Sequence, residues 1–318
     1  MKNCTKKVGA FPTMITPYNT DGSVDLGAAR AMTEWYYEKG CHGIFAACQS
    51  SEIFYLTEEE RVALTRTVID EANRLSALHP ERPRMTIVAS GHVASTYDQQ
   101  VHELRAVAET GPDALILITN RMDIPNEGED QWFRDCDRLA AAVPDIPLGV
   151  YECPFPYKRL LTEKMLRYCA ESGRFAFIKD TCCDAALIAK RVEILKGSPV
   201  QLYNANAQTL LETLRAGAHG YCGVMANFHP QLYVYLCEHF EEEPEKADLL
   251  QAFLCTATMV EKLAYPVTAK YHLSEIVGLP ISSIFSRVRS QYELNDYQKS
   301  CIRQLHLLAT DIEERLTK

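Results

Sequence analysis

Short apolar runs alternate with longer amphipathic segments along most of this chain. The eight runs read VGAFPTMIT, GIFAAC, MTIVAS, ALILIT, PLGVYE, FAFIKD, VQLYNA and GYCGVM, and they begin at Val8, Gly43, Met85, Ala114, Pro147, Phe175, Val200 and Gly220. Their nearly continuous apolar character is typical of strands that are covered on both faces. Intervals of roughly 20 to 40 residues leave room for a crossover helix between successive runs, so the pattern predicts parallel strands.

The segments between the runs carry helix signals. Thr57 precedes the amphipathic stretch EEERVALTRTVIDEANRL, and Glu60 three positions later completes a capping box. Similar stretches run from Gln99 to Glu109 and from Ala185 to Leu195. Eight βα units in about 225 residues predict a (β/α)8 TIM barrel of ordinary size. A doubly wound open sheet is the alternative, and it is less favoured because no GxGxxG motif follows the first run.

The chain changes character after the eighth run, because only helical periodicity continues. In DYQKSCIRQLHLLATDIEERL, a set of apolar positions shares one helical face. They are Cys301, Ile302, Leu305, Leu308 and Ile312. We predict a barrel catalytic domain at residues 1–228 and a C-terminal helical region at residues 229–318 that packs on the barrel.

Composition favours small-molecule chemistry over binding to a charged polymer or a lipid surface. The 318 residues are 47% hydrophobic and 24% charged, with a formal net charge of -9 and a pI near 5.5. Nucleic acid and anionic lipid both select basic faces, so neither is expected as a partner. The start MKNCTKKVGAFPTMI has only a short apolar run interrupted by Pro12, and no later run reaches membrane-spanning length. We therefore expect a cytoplasmic protein.

The cysteines favour a reducing compartment and give no indication of a metal site. The twelve are scattered singly, except for the adjacent Cys182 and Cys183. Such usage is typical of reduced and mostly buried thiols, and we expect this pair to pack beneath the active site. No paired CxxC or HxxxH spacing is present, so no zinc ligand set is predicted.

The carboxyl ends of the strands are where a barrel of this kind builds its active site. Lys179 ends the sixth run and Tyr151 ends the fifth, so we expect the two side chains to face one another on neighbouring strands. A desolvated lysine amine can attack a carbonyl group, and an adjacent phenol can carry protons through the carbinolamine. The apolar strand before Lys179 would fix that amine, while Asp180 points to the other side by alternation and serves as support.

Two further strand ends carry polar side chains. His92 follows the third run in SGHV, and Asn204 and Asn206 lie around the end of the seventh run in YNANA. An imidazole has a suitable pKa for acid–base work, and an asparagine amide could bind a substrate hydroxyl. Loop and turn chemistry is the alternative for both residue types. We include His92 and Asn206 among the predicted substrate-binding residues.

Several motifs together resemble the dihydrodipicolinate synthase and N-acetylneuraminate lyase superfamily. FIKD matches the family's lysine strand and gives Lys179, and VYECP matches its LYNxP motif and gives Tyr151. FPTMITPYNTDGSVD, the TEEER helix start and GYCGVMANFHP are similar to further family motifs. The resemblance covers essentially the whole chain. It implies the barrel fold, a Schiff-base lysine that needs no cofactor, and a homo-oligomer, either a tetramer or a dimer.

The family's GTTGE loop holds the substrate carboxylate through backbone N–H groups and hydroxyls, and it corresponds to CQSSE here. Cys48 and Ser51 replace glycines, and Gln49 and Ser50 replace the polar pair. By this resemblance Gln49 and Ser50 are the predicted carboxylate contacts, and successive N–H groups of such a loop can form an anion-binding nest. Ser51 and Gly223, the latter from the eighth-strand motif, complete the predicted substrate-binding set.

Two departures from the family bear on the substrate. Where the synthases have a tyrosine pair after strand four, ITNRMDIP places Arg121 and Met122. Where they have an arginine for the carboxylate of the second substrate, CPFPYKRLL places Pro156, and the charges follow at Lys158 and Arg159. These substitutions argue against a dihydrodipicolinate synthase proper. Arg121, Lys158 or Arg159 could instead meet an anionic group placed elsewhere.

We interpret the sequence as a Schiff-base carbon–carbon lyase, aldolase or synthase acting on pyruvate or another 2-oxo acid, such as a 2-oxo-3-deoxy sugar acid. Lys179 is the predicted nucleophile and electron sink, and Tyr151 is the predicted proton shuttle. Three alternatives stay open at this point. They are dihydrodipicolinate synthase proper, a non-catalytic sensor that captures 2-oxo acids on the same lysine, and a metal-dependent aldolase that uses Glu52, Glu152 and His92.

Overall fold

Eight parallel strands form a closed barrel in the computed structural model, which describes residues 8–316. The strands are β1 (Gly9–Ala10), β2 (Gly43–Phe45), β3 (Thr86–Ser90), β4 (Ala114–Ile118), β5 (Leu148–Tyr151), β6 (Phe175–Asp180), β7 (Gln201–Asn204) and β8 (Gly220–Tyr221). They pair in the order β1-β8-β7-β6-β5-β4-β3-β2. Bonds from His42 N–H to the Ala10 carbonyl and from Phe45 N–H to the Pro12 carbonyl, at 3.1 and 3.0 Å, close the ring. The predicted (β/α)8 barrel is confirmed.

Helices cover the outside of the barrel and build the C-terminal region. They are α1 (Leu26–Glu38), α2 (Glu58–Leu78), α3 (Tyr97–Ala108), α4 (Glu129–Ala142), α5 (Glu163–Glu171), α6 (Ala185–Leu195), α7 (Leu210–Arg215), α8 (Pro230–His239), α9 (Pro244–Ala257), α10 (Val267–Tyr271) and α11 (Asp296–Leu316). Helix α8 contacts β1 and β8, as the eighth helix of the barrel should, and α9 and α11 both contact α8. The division of the chain at residues 228 and 229 stays a prediction.

Local sequence accounts for the ends of several elements. Strand β1 is short because Pro12 has no N–H to contribute to a ladder. At the start of α2 the Thr57 hydroxyl accepts the Glu60 N–H at 3.2 Å, and the Glu60 carboxylate accepts the Thr57 N–H at 2.8 Å. The predicted capping box is therefore confirmed, and it fixes the helix that follows the loop after β2.

Helix α11 buries a narrower face than its sequence suggested. Ile302, Leu305 and Ala309 are buried, whereas Leu308 has 51% of its surface exposed. The prediction that Leu308 lies on the buried face is wrong, because neighbouring residues on a helix are rotated by about 100° and Ala309 occupies the buried stripe. The helix nonetheless contacts α8, α9 and α10, so it packs onto the rest of the molecule.

The side chains inside the barrel form their own cluster, separate from the larger apolar layers between strands and helices. We call it the interior cluster. Its members are Phe11, Phe45, Cys48, Val88, Ala114, Ile116, Ile118, Tyr151, Cys153, Phe177, Tyr203 and Cys222. An apolar interior of this kind lowers the local dielectric around any polar group that reaches into it.

The cysteines and the helix lengths are two further features of the fold. Every cysteine among the described residues is free. Cys182 is half-buried and Cys183 is exposed, so the prediction that this pair packs beneath the site is wrong. No helix within residues 8–316 is long and apolar enough to cross a membrane. The basic start of the chain, residues 1–7, lies outside the described residues.

Candidate active site

Lys179 and Tyr151 meet at the carboxyl ends of β6 and β5, where their backbones are register partners. The Lys179 Nζ lies 4.3 Å from the centroid of the Tyr151 ring. Both side chains are buried, with 4% and 3% of their surfaces exposed. The predicted juxtaposition of the two residues is therefore present, and it follows from strand pairing alone because residues opposite one another on parallel strands point the same way.

Apolar walls surround the lysine amine. The Lys179 Nζ is 5.4 Å from the ring centroid of Phe45, which itself packs edge-on against Tyr151 at 5.5 Å. The thiols of Cys153 and Cys222 are close enough for electrostatic interaction with Lys179. Such an environment desolvates an amine and keeps water away from any imine that forms on it.

The Tyr151 hydroxyl is held at the top of the interior cluster. It lies 3.5 Å from Gln49 Oε1, and the Cys153 thiol lies 3.7 Å from the same oxygen. Burial raises the pKa of Tyr151 well above its ordinary value, with the neighbouring cysteines adding to the effect. The phenol is therefore protonated at neutral pH and has a proton to donate.

The loop after β2 brings Gln49 and Ser50 beside this pair. Ser50 Oγ donates to Thr13 Oγ1 at 3.0 Å, and Gln49 is the residue that accepts from Tyr151. The backbone N–H groups of these two residues donate to no other atom in the described part of the chain. Two adjacent free N–H groups at the end of a strand suit an anionic oxygen.

Ser51 does not face the site. Its hydroxyl lies 2.7 Å from the Met14 carbonyl and 2.8 Å from the Ala46 carbonyl, and it accepts the Cys48 N–H at 3.1 Å. All hydrogen-bonding capacity of this buried hydroxyl is used to shape the loop. We therefore correct the prediction of Ser51 as a substrate contact, and assign it to support of the loop.

Glu52 ends this loop and ties it to the C-terminal region. Its backbone is left-handed, with φ of 60°. Its carboxylate accepts from Lys270 Nζ at 2.9 Å, and from Ser286 Oγ and the Val288 N–H at 3.0 Å each. Burial lowers the pKa of the Lys270 ammonium to about 8, although the Glu52 carboxylate acts in the opposite direction. This anchor was not predicted, since no local motif marks two charges 218 positions apart.

A second buried ion cluster joins the ends of β5 and β6 to helix α6. Arg191 on α6 pairs with Asp180, and with Glu152 at 2.9 Å. Glu152 also accepts the N–H groups of Leu161 and Thr181, at 2.7 and 2.8 Å. Asp180 thus points away from Lys179 and supports the end of β6, as the alternation along the strand predicted.

Replacing Arg191 by methionine is expected to lower the free energy of unfolding by about 3 to 5 kcal/mol, because it leaves Asp180 and Glu152 buried without a cation. The urea midpoint of the variant measures this loss. Arg167→Met is the matched control, since Arg167 pairs with Glu163 in an exposed i,i+4 contact and should cost no more than about 1 kcal/mol. Equal midpoints for the two variants would contradict the buried role of Arg191.

His92 is built into the wall between β3 and β4. Its Nδ1 lies 2.9 Å from Gln100 Oε1, and its Nε2 accepts the Ile118 N–H at 2.7 Å. The Nε2 must be unprotonated to accept, and burial lowers the pKa of the ring to about 4. Both nitrogens are therefore engaged within the protein, so the predicted substrate contact of His92 is corrected to a structural role.

The end of β7 uses its asparagines for turn geometry. Asn206 Oδ1 accepts from the Thr209 N–H at 3.1 Å, and its Nδ2 donates to Gln208 at 2.6 Å. Asn204 is buried and donates to Thr209 and Thr213. These bonds use the Oδ1 and one N–H of the Nδ2 for the turn, and the predicted contact between Asn206 and substrate stays a prediction.

Gly223 lies at a position where no side chain fits. A Cβ atom at this position would lie 2.3 Å from the Tyr221 hydroxyl and 2.7 Å from the Ala205 carbonyl. Glycine is therefore required for the close approach of the β7 and β8 ends. The predicted contact between Gly223 and substrate stays a prediction.

The residues named for metal-dependent chemistry are dispersed. Glu52 pairs with Lys270, Glu152 pairs with Arg191, and His92 bonds Gln100. Within residues 8–316 no group of three or more His, Cys, Asp and Glu side chains could hold a metal ion. These three side chains do not converge on one point.

A buried amine at the tip of one barrel strand, with a phenol beside it on the next, is the arrangement of an enzyme that forms an imine with a carbonyl substrate. Fold and site together thus define a class of enzyme, the class I lyases and aldolases.

Comparison with known proteins makes this assignment narrower. The model of the Dihydrodipicolinate synthetase family matches residues 6–286, and the chain belongs to that family. It is 24% identical over 296 residues to the 4-hydroxy-tetrahydrodipicolinate synthase of Saccharophagus degradans, which covers 90% of this chain and 96% of the relative. It is 27% identical to the enzyme of the same name from Alcanivorax borkumensis, over 72% of this chain and 74% of the relative.

Solved structures show the same fold at low sequence identity. The catalytic lysine mutant of Ruminococcus gnavus sialic acid aldolase has a TM-score of 0.83 and 17% identity, covering 99% of this chain and 100% of its own. A prophage protein of the dihydrodipicolinic acid synthase family from E. coli K12, in complex with pyruvate, has a TM-score of 0.80 and 22% identity, covering 96% and 98%. The protein is a Schiff-base-forming carbon–carbon lyase or synthase.

Proposed function

We propose that the protein makes or breaks a carbon–carbon bond beside the carbonyl of a 2-oxo acid, through an imine on Lys179 and without a cofactor. The observation that carries this proposal is the 4.3 Å approach of Lys179 Nζ to the buried ring of Tyr151. An amine held in an apolar barrel and next to a protonated phenol has both parts that imine chemistry needs.

The reaction uses these two groups in sequence. The Lys179 amine adds to C2 of the 2-oxo acid, and the carbinolamine oxygen takes up a proton and leaves as water. When the bond between C3 and C4 breaks, the C4 hydroxyl loses its proton and becomes the carbonyl of the released aldehyde, and the electron pair of the bond passes to the protonated imine, which becomes an enamine. Tyr151 donates the proton to the departing water, and its phenolate takes up the proton of the C4 hydroxyl. The enamine then takes up a proton at C3, and water hydrolyses the imine to release pyruvate and the free Lys179 amine. In the direction of synthesis the same steps run in reverse.

The carboxylate of the 2-oxo acid is assigned to the loop after β2. The free N–H groups of Gln49 and Ser50 support this assignment, because oriented backbone donors bind an oxyanion without the entropy cost of ordering long side chains. Glu52, anchored by Lys270, keeps the loop in the left-handed turn that exposes these donors.

The second substrate is assigned to a class other than aspartate semialdehyde, with a 2-oxo-3-deoxy sugar acid as the preferred compound in the cleavage direction. Pro156 offers no charge or donor for a carboxylate, and the Met122 thioether is buried and cannot carry a proton. The names of the curated relatives support dihydrodipicolinate synthase as the alternative.

We expect pyruvate release from a panel of 2-oxo-3-deoxy sugar acids, and little product from pyruvate with aspartate semialdehyde. A coupled assay for each reaction measures kcat/KM for both. A value above about 10⁴ M⁻¹s⁻¹ for the synthase reaction alone, within the range of typical enzymes, would reverse this choice of substrate. Imine formation without any turnover would favour the alternative of a non-catalytic sensor that captures 2-oxo acids on Lys179.

We also propose a homo-oligomer, tetrameric or dimeric, in the cytoplasm, with neither nucleic acid nor membrane as a partner. The net charge of -9 supports the exclusion of both partners, because nucleic acids and anionic membrane surfaces attract basic proteins. The free and largely buried thiols support a reducing compartment. Light scattering of the purified protein measures the oligomeric state.

A further inference from the structure

Three cations follow β4 and β5 at the rim of the barrel, and two of them are already committed to partners. Lys158 Nζ donates to the Thr181 carbonyl at 2.7 Å. Arg159 pairs with the buried Asp123 at 2.8 Å and also donates to two backbone carbonyls. Arg159 is thus neutralised within the protein, whereas Lys158 is an exposed side chain whose other two N–H groups have no partner within residues 8–316. Arg121 is the third.

Arg121 is a half-buried cation that no anion neutralises. Its Nε lies 3.3 Å from Asn120 Oδ1, and its Nη1 lies 3.3 Å from the Val93 carbonyl. No carboxylate of residues 8–316 forms an ion pair with it, and the nearby Glu103 is already paired with Arg61 at 2.6 Å. Burial lowers the pKa of the guanidinium. The guanidinium therefore has N–H donors that no anion of the described residues engages, and a ligand could supply that anion.

Space for an anion is present beside the guanidinium. A cavity of about 180 Å³ is lined by Arg121, by the polar side chains of Ser95, Gln100 and Gln131, and by Tyr97, Ile124, Pro125 and Leu139. A water molecule occupies about 30 Å³ in the liquid, so a carboxylate or phosphate group fits. Asp135 lines the same cavity, but one of its oxygens accepts the Asp123 N–H and the other accepts the Gln131 amide.

The guanidinium also lies near the interior cluster. It lies 5.8 Å from the ring centroid of Phe54, and Phe54 packs against the interior cluster that contains Tyr151 and Cys153. Tyr157 and Cys153, both in the segment after β5, are close enough to act electrostatically on Arg121. Arg121, which follows β4, is thus surrounded by residues from the loops after β2, β3 and β5.

We propose that Arg121 binds an anionic group of the second substrate or of the aldehyde that the reaction releases, either a carboxylate or a phosphate. This inference rests on the proposed function, and it names the chemical class of the partner. The planar guanidinium presents paired donors that match either oxyanion, whereas a lysine offers a point charge. Charge and geometry both contribute to selection between anionic and neutral partners.

Two matched pairs of aldehydes test this inference, each supplied with pyruvate. Glyceraldehyde and glyceraldehyde 3-phosphate differ by a phosphate, and butyraldehyde and succinic semialdehyde differ by a carboxylate. The wild-type enzyme is expected to prefer the anionic member of at least one pair. Arg121→Met should lower kcat/KM for that member by about 10- to 100-fold, the range for a hydrogen-bonded charged group, and leave the neutral member within about threefold. Arg121→Lys should fall between the two.

Controls separate this inference from the proposed function. Arg66→Met removes an exposed arginine of α2 and should match the wild type with all four aldehydes. Equal loss on both members of a pair, unchanged selection in Arg121→Met, or a wild-type preference for neutral aldehydes overturns the role of Arg121. Covalent trapping of pyruvate on Lys179 tests the proposed function separately, because Arg121→Met should trap pyruvate as the wild type does.

Discussion

Alanine in place of Lys179 is expected to abolish both turnover and the covalent trapping of pyruvate by borohydride. Borohydride reduces an imine to a stable secondary amine, so only the lysine that forms the imine keeps the label. The barrel offers no substitute at this position, because the amine is placed by the register of β5 and β6. Loss of the covalent route removes the electron sink, and we expect a decrease of at least about 10⁴-fold in kcat, as is common when an essential nucleophile is removed.

Intact mass and peptide mapping measure the trapped adduct. Lys190→Ala is the matched control, since Lys190 is an exposed lysine of α6, and it should trap pyruvate at the wild-type level. Lys270 provides an internal comparison, because its buried amine is engaged by Glu52. A label on Lys270, or undiminished labelling of Lys179→Ala, would show that the nucleophile has been misassigned.

Phenylalanine in place of Tyr151 should slow turnover by about 10²- to 10⁴-fold while the fold and the capture of 2-oxo acids persist. This range is typical for the loss of a positioned acid–base group. The ring keeps its edge-on contact with Phe45, so the variant removes the proton and little of the packing. Steady-state kinetics with the best substrate measures kcat, and the borohydride trap measures how much imine still forms.

Tyr203→Phe is the matched control for this prediction. Tyr203 is another member of the interior cluster, and its hydroxyl donates to Gln201 at 3.0 Å, at the start of β7 and away from the strand tips. Its loss should leave turnover within a few fold of the wild type. Wild-type turnover in Tyr151→Phe, or equal losses in both variants, would rule out the shuttle role of Tyr151.

The barrel and the juxtaposition of Lys179 and Tyr151 were predictable, because both follow from patterns that can be recognised in the sequence alone. Continuous apolar runs at regular spacing indicate parallel strands, and the place of active sites in this fold gives strand-end residues a functional meaning. Lys179 and Tyr151 needed no more than this, since strand pairing sets their distance.

The roles of the polar residues around the pair were less predictable, because a sequence does not show which partners each hydrogen-bonding group has in the folded protein. Ser51 and His92 both follow strands, yet each is saturated by backbone or side-chain partners within the protein, and Asn206 uses its Oδ1 and one amide N–H for the turn after β7. Arg159 has the carboxylate of Asp123 as a partner and Arg121 has none within residues 8–316, a difference that sequence spacing does not indicate. The exposure of Cys183 likewise depends on the path of a loop.

The loop assigned to the substrate carboxylate is completed by a residue that leaves the ribosome late. Lys270 follows Glu52 by 218 positions. Every strand of the barrel has therefore been synthesised before Lys270, whose ammonium neutralises the Glu52 carboxylate. Domains fold from the N-terminus during synthesis, but a carboxylate that becomes buried without its cation is strongly disfavoured. A chain terminated after β8 therefore lacks the cation that neutralises Glu52, and we expect the loop after β2 to take its final form only after the C-terminal region has emerged.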